Sequence, residues 1–153
     1  MTIKLGINGF GRIGRLVYRA ARKNPAIEVT AINDLSDATT MAHLLKYDSV
    51  HGTLDAAVSA ESDSIQVDDQ RVAYSAVKDP EKIPWKEAEV DIVAECTGLF
   101  RDRESAAKHL AAGARKVIIS APAKDPDATI VMGVNANHYD PRNHHVVSNA
   151  SCT

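Results

Sequence analysis

Three stretches combine residue types and spacings that could do chemistry. The first, Asn8-Gly9-Phe10-Gly11-Arg12-Ile13-Gly14, spaces its glycines as G-x-G-x-x-G. In that pattern the first glycine makes a tight turn, the second lets backbone approach a pyrophosphate, and the third packs a helix closely on a strand. The pyrophosphate then sits on a helix N-terminus, where unpaired N–H groups and the helix dipole favour negative charge. The second is Asp34, which lies 20 residues beyond Gly14, where the dinucleotide fold places a carboxylate to accept hydrogen bonds from the adenosine ribose. A helix cap or turn residue is the alternative reading of Asp34. A carboxylate there repels a 2'-phosphate, and neighbouring Leu35 offers no cation, so NAD is expected over NADP. The third is Ser148-Asn149-Ala150-Ser151-Cys152-Thr153, which puts a thiol just after a strand, where a helix could begin and its dipole would favour the thiolate. On spacing alone, a nucleophile and a small buried hydrophobe both stay open for Cys152. Cys96, inside an apolar strand, is assigned the second role.

These residues need elements to hold them. Residues 3–7 read as an apolar strand entering the glycine loop, and Ile13, Leu16, Val17, Ala20 and Ala21 recur with helical period as a core face. Arg15, Arg19 and Arg22 fall on the other side and read as a solvated face rather than a nucleic-acid stripe. Asn24-Pro25 ends this helix, and residues 27–32 form a strand that delivers Asp34. Ser36 or Asp37 can cap a second helix, Ala38–Lys46, with Met41, Leu44 and Leu45 on its apolar side. Residues 47–54 read as a loop. Between residues 57 and 76 the period changes to two, which predicts a small antiparallel excursion beside rather than within the main sheet.

Strand and helix alternate again in the second half. Residues 90–96, 116–119, 129–134 and 145–147 read as strands, and a helix follows Asp102 and stops at Gly113. The alternation predicts an α/β fold, a Rossmann-type, doubly wound, mostly parallel sheet with ligand at the carboxyl ends of its strands. Thr97, Gly98 and Ser120 occupy such ends and are expected to line the cofactor groove. Trp85 reads as a packing anchor, His144-His145 as a surface pair, and Asp63, Asp68 and Asp69 as a solvated hairpin lacking the twelve-residue calcium-loop pattern.

Composition is ordinary for a globular domain: 153 residues, 44% hydrophobic and 25% charged, with a formal net charge of −2. Such a balance gives no reason to expect nucleic acid as main partner or an anionic membrane. Two distant cysteines, an N-terminus without an apolar signal core, and no long apolar run favour a reducing, cytoplasmic location.

Several further motifs join the glycine loop in collinear order: Ala31-Ile-Asn-Asp34, Lys46-Tyr-Asp-Ser-Val-His-Gly52, Glu95-Cys-Thr-Gly98, Val117-Ile-Ile-Ser-Ala-Pro122, Val131-Met-Gly-Val-Asn135 and the closing Ser148 to Thr153. Together they resemble the phosphorylating glyceraldehyde-3-phosphate dehydrogenases over essentially the whole chain, and within that family the bacterial, NAD-using glycolytic branch. The resemblance implies that Asn8, Gly9, Phe10, Gly11, Arg12, Ile13 and Gly14 hold the pyrophosphate and neighbouring groups, and that Asp34 holds the adenosine ribose. It places Lys78 near the adenine, Thr97, Gly98 and Phe100 around the adenine and ribose, and Ser120 beneath the nicotinamide half. Cys152 is implied as the nucleophile toward glyceraldehyde 3-phosphate, with Ser151 and Thr153 helping to bind phosphate; inorganic phosphate is the second substrate.

The family's catalytic histidine lies beyond residue 153, and none of His43, His51, His109, His138, His144 or His145 falls at its position. The chain therefore resembles the N-terminal portion of an enzyme about twice as long and a homotetramer when complete. Residues 1–148 are expected to form the NAD-binding domain, with 149–153 starting the catalytic domain; the fragment alone is expected to be inactive. A free-standing nucleotide-binding module and an interaction protein are the competing readings.

Overall fold

The computed structural model describes residues 1–150. Ser151, Cys152 and Thr153, and with them the nucleophile and substrate-binding roles expected of these residues, lie outside the described residues. β1 (Ile3–Asn8) is short and apolar, with Leu5 and Ile7 buried. α1 (Arg12–Ala21) follows the glycine turn, and β2 (Ile27–Asn33) pairs parallel with β1, bringing Asn8 and Asn33 level at their carboxyl ends. α2 (Ala38–Lys46) starts at Asp37, whose side chain accepts the Thr40 N–H, one of the two expected caps.

Most of the remaining elements are shorter. β3 (Tyr47–Asp48) and β4 (Gly52–Thr53) make a two-stranded hairpin inside the segment that reads as a loop. β5 (Val58–Glu61), β6 (Ser64–Val67) and β7 (Gln70–Ser75) follow, then β8 (Ile92–Glu95). The helix after Asp102 is broken into α3 (Arg103–Ala106) and α4 (Lys108–Ala111). β9 (Lys116–Ile119), β10 (Ala128–Thr129) and β11 (Val146–Ser148) complete the chain.

Among the described residues, one sheet of nine strands runs in the order β10-β11-β9-β8-β1-β2-β7-β6-β5. The chain enters at the centre with β1 and β2, crosses to the outer edge at β5, works back inward through β6 to β7 against β2, then returns to the other side of β1 at β8. That reversal makes the gap between β1 and β8 the topological switch point, where doubly wound sheets bind ligand. The antiparallel excursion is not beside the sheet, as its pattern predicts, but continuous with it. β7 pairs parallel with β2 through Ala31↔Ala73 to Asn33↔Ser75, and β6 and β5 add on antiparallel contacts. Period-two patterning specifies a strand's faces but not its neighbour, so this attachment is not visible in the alternation itself.

α1 differs from its pattern in a second way. Gly14, Tyr18 and Ala21 are its buried residues, whereas Ile13 is 51% exposed and Ala20 is also exposed. The helix sits so close to the glycine turn that the stripe lacking a side chain at Gly14, rather than the stripe richest in aliphatics, faces the sheet. The arginines opposite do not form a free solvated face. Arg19 donates to the carbonyls of Leu45 and Gly52 at 2.8 Å each, Arg15 to the Phe10 carbonyl, and Arg22 to Asp68. They tie α1 to the end of α2 and to the hairpins. The main core packs Ile7, Phe10, Tyr18, Ile32 and Leu45 with Ile65, Val67 and Val72 of the excursion.

Candidate functional site

The glycine loop follows from steric demands that can be located atom by atom. Gly9 has φ +88°, a left-handed conformation that a side chain would strain, and a Cβ there would lie 2.8 Å from the Thr97 N. A Cβ at Gly14 would lie 2.0 Å from the Gly9 carbonyl oxygen, so the third glycine is what lets α1 close onto the turn. At Gly11 a Cβ would meet no described atom within 4 Å, because the space before it is open cleft. Gly11 is also the N-cap of α1, and among the described residues no side chain caps that end and no acid occupies its first turn. α2 and α3, by contrast, are capped by Asp37 and Asp102. The free N–H groups of α1 are those an anionic ligand would take.

The cleft has a volume of about 790 Å3 and runs along the carboxyl ends of β7, β2, β1 and β8. Seven of the expected cofactor residues line it: Asn8, Gly9, Gly11, Asp34, Lys78, Thr97 and Phe100. The other expected positions are placed differently. Phe10 is fully buried, edge-on to Tyr18 with ring centroids 6.1 Å apart, and reaches the site through its backbone alone. Gly14 is buried beneath the turn, Arg12 and Ile13 are exposed on the first turn of α1, and Gly98, with φ +74°, carries the turn between Thr97 and Leu99. Ser120 stands off the cleft wall at the end of β9, where its N–H meets the Glu95 carbonyl at 3.1 Å.

Asp34 unites its two readings. One carboxylate oxygen accepts the Phe10 N–H at 2.7 Å and the other the Ser36 N–H at 2.9 Å, so it is a turn residue that also borders the cleft. Each oxygen accepts more than one hydrogen bond, which leaves capacity for sugar hydroxyls. Leu35 and Leu99, 62% and 74% exposed, present apolar surface on either side of the cleft. Lys108, a cleft residue absent from the sequence expectations, comes from the first turn of α4.

The residue most clearly missed is Glu95, 1% exposed at the end of β8. It accepts hydrogen bonds from Asn8 Nδ2 at 2.5 Å, Thr97 Oγ1 at 2.7 Å, and the Thr97 N–H and His109 Nε2 at 2.9 Å each. The available signal was a carboxylate closing an otherwise apolar strand immediately before Cys96-Thr97-Gly98. Cys96 also lines the cleft rather than sitting inside the strand; burial pushes its thiol up to about 11, although a Ser120 hydrogen bond works the other way. His144 Nδ1 takes the Asp140 N–H, and no group of three potential metal ligands occurs among the described residues.

A glycine turn, an uncapped helix N-terminus and an acid at the tip of the second strand, gathered at the switch point of a parallel sheet, define a Rossmann-type dinucleotide-binding domain. Residues 3–103 match the family model described as glyceraldehyde 3-phosphate dehydrogenase, NAD binding domain. The whole chain is 65% identical over 153 residues to glyceraldehyde-3-phosphate dehydrogenase of Geobacillus stearothermophilus and covers 46% of that protein. It is 60% identical to glyceraldehyde-3-phosphate dehydrogenase 1 of Bacillus subtilis and 58% identical to the enzyme of Streptomyces coelicolor, again covering 46% of each. The chain belongs to the glyceraldehyde 3-phosphate dehydrogenase family, in its NAD binding domain, and NAD is the cofactor of that domain. The chain spans about half the length of the curated relatives it matches. No helix among the described residues is long and apolar enough to cross a membrane.

Proposed function

We propose that this chain forms the cofactor half of a phosphorying NAD-dependent enzyme that oxidises glyceraldehyde 3-phosphate to 1,3-bisphosphoglycerate. The observation that carries the reading is the cleft at the β1–β8 switch point, floored by Gly9 and Gly11 and bordered by Asp34, in a chain of this family. Asn8 and Gly9 to Gly14 hold the pyrophosphate region, partly through the N–H groups at the start of α1. Asp34 takes the adenosine ribose, with Lys78 and Phe100 toward the adenine and Thr97 and Gly98 along the adjacent wall. Ser120 lies toward the nicotinamide half. Bound NAD supplies the hydride acceptor. In this proposal Cys152 attacks the aldehyde as a thiolate, the hemithioacetal is oxidised to a thioester, and inorganic phosphate cleaves it, with Ser151 and Thr153 binding phosphate.

Residues 1–148 act as the nucleotide domain and 149–153 lead into the catalytic domain, which supplies the base toward Cys152. The complete protein works as a cytoplasmic homotetramer. An assay of the complete protein with NAD, phosphate and the triose aldehyde tests the reading: turnover is expected in the parent and lost in Cys152→Ser, and turnover retained in that variant contradicts it.

A further inference from the structure

Behind the cleft lies a buried hydrogen-bonded chain that no cofactor contact requires. Trp85 and His109 are 1% and 0% exposed, and the indole Nε1 lies 2.9 Å from His109 Nδ1. An indole N–H only donates, so Nδ1 must accept, and the imidazole carries its proton on Nε2. That proton points to Glu95 Oε1 at 2.9 Å. His109 is thereby fixed as the neutral Nε2–H tautomer, and Glu95 receives four donors on two oxygens. An ionised carboxylate suits such a set because it accepts only, and the four bonds offset the cost of burying its charge.

From Glu95 the order spreads to the cleft floor. Asn8 gives Nδ2 to Glu95, and its Oδ1 accepts Asn33 Nδ2 at 2.9 Å; Asn33 Oδ1 in turn accepts Ser75 Oγ at 2.7 Å and the Val77 N–H at 2.9 Å. One orientation of each amide satisfies the whole run, which crosses the ends of β8, β1, β2 and β7. Thr97 Oγ1 donates to Glu95 and accepts the Leu99 N–H at 3.0 Å, fixing the turn through Gly98. Asn8, Asn33, Val77, Thr97 and Leu99 all line the cleft.

We propose that Glu95 is a positioning residue that sets the affinity of the cleft for NAD by holding Asn8 and Thr97 in place, and that the Trp85–His109 pair locks Glu95 as the acceptor. The inference rests on the proposed placement of NAD in this cleft. A floor ordered before the ligand arrives spares the cofactor that ordering cost.

The test uses the complete protein. Glu95→Gln keeps the shape but turns donors toward donors, and it is expected to raise the Kd and KM for NAD about tenfold, the scale of one hydrogen bond to a charged group, with kcat within about twofold. Because Glu95 acts through Thr97 as well as through Asn8, the double variant with Thr97→Val should weaken NAD binding by clearly less than the product of the two single effects. Trp85→Phe, which keeps an aromatic ring but removes the N–H, should abolish the fixed Nε2–H signature of His109 in 15N spectra and raise the KM for NAD. Parent-like NAD affinity in Glu95→Gln, or multiplicative effects in the double variant, overturns the inference. If Glu95→Gln does not fold, an unchanged His109 signature and KM in Trp85→Phe overturn it equally. Failure of the unsubstituted protein to bind NAD would instead overturn the proposed function on which the inference stands.

Discussion

The two sides of the sheet are built differently. On one side, β1, β2 and β7 have six or seven residues each, and their carboxyl ends are stitched side chain to side chain through Asn8, Asn33 and Ser75. On the other, β10 has two residues, α3 and α4 have four each, and Val131, Met132 and Val134 stand 43% to 79% exposed. Glu95 in β8 marks the border, because it draws His109 from the far side into the network of the near one. The difference teaches that polar side-chain networking is concentrated where backbone must meet a dinucleotide, while the outer strands add only a few individual polar contacts to their sheet pairing and a small apolar cluster. Asp127 is the chief of these: it takes Arg103 Nε at 2.7 Å and the N–H groups of His145 and Val146 at 2.8 and 2.9 Å.

The largest expected effect breaks the near side. Gly14→Ala forces a methyl into the Gly9 carbonyl, so it should cost about 3 kcal/mol or more in denaturant unfolding and abolish NAD binding in calorimetry. On the far side, Asp127→Ala strands two backbone donors and should cost about 2 kcal/mol. That contact also has a pH signature. Burial works against ionisation of Asp127, but hydrogen bonds from Arg103, Val146 and His145 outweigh it and hold the carboxyl down to about 2. A depressed folded value means the stabilisation is complete above the unfolded value of about 3.9 and is lost as pH falls through about 2. Acid unfolding of Asp127→Asn should lack this component between pH 4 and 2.

Smaller effects sharpen the contrast. Gly11→Ala should change stability by less than about 1 kcal/mol, since its methyl meets open space, yet weaken NAD binding at least about tenfold; equal binding would show that the space is not used. Met132→Ser, on the far side, should shift stability by no more than about 0.5 kcal/mol. Cys96, its thiol raised to about 11, should resist thiol reagents at pH 7, in contrast to the nucleophile proposed at Cys152.

Much of the near side was legible in the sequence because its signals are local. The glycine spacing, the following helix and Asp34 lie within 34 residues, and each constrains the next. What was not legible depends on distant neighbours. Aliphatic periodicity placed α1 by its richest stripe, but the close approach at Gly14 selected another. Arg19 reads as solvated until the end of α2 arrives to offer its carbonyls. The 129–134 segment has strand-forming residues, yet β11 pairs with only Ala128 and Thr129 of β10. Glu95 and His109 are 14 residues apart, on a strand and on a helix, and no periodicity relates them.

Asp34 and the glycine turn are proposed together to make this cleft a site for NAD. The most direct measurement is isothermal titration of the complete protein with NAD and with NADP, repeated on Asp34→Asn. The parent is expected to bind NAD more tightly than NADP, by at least about tenfold, and the variant to lose most of that preference, because the carboxylate that repels a 2'-phosphate is gone. Tighter binding of NADP by the parent, or an undiminished preference in Asp34→Asn, would contradict this expectation.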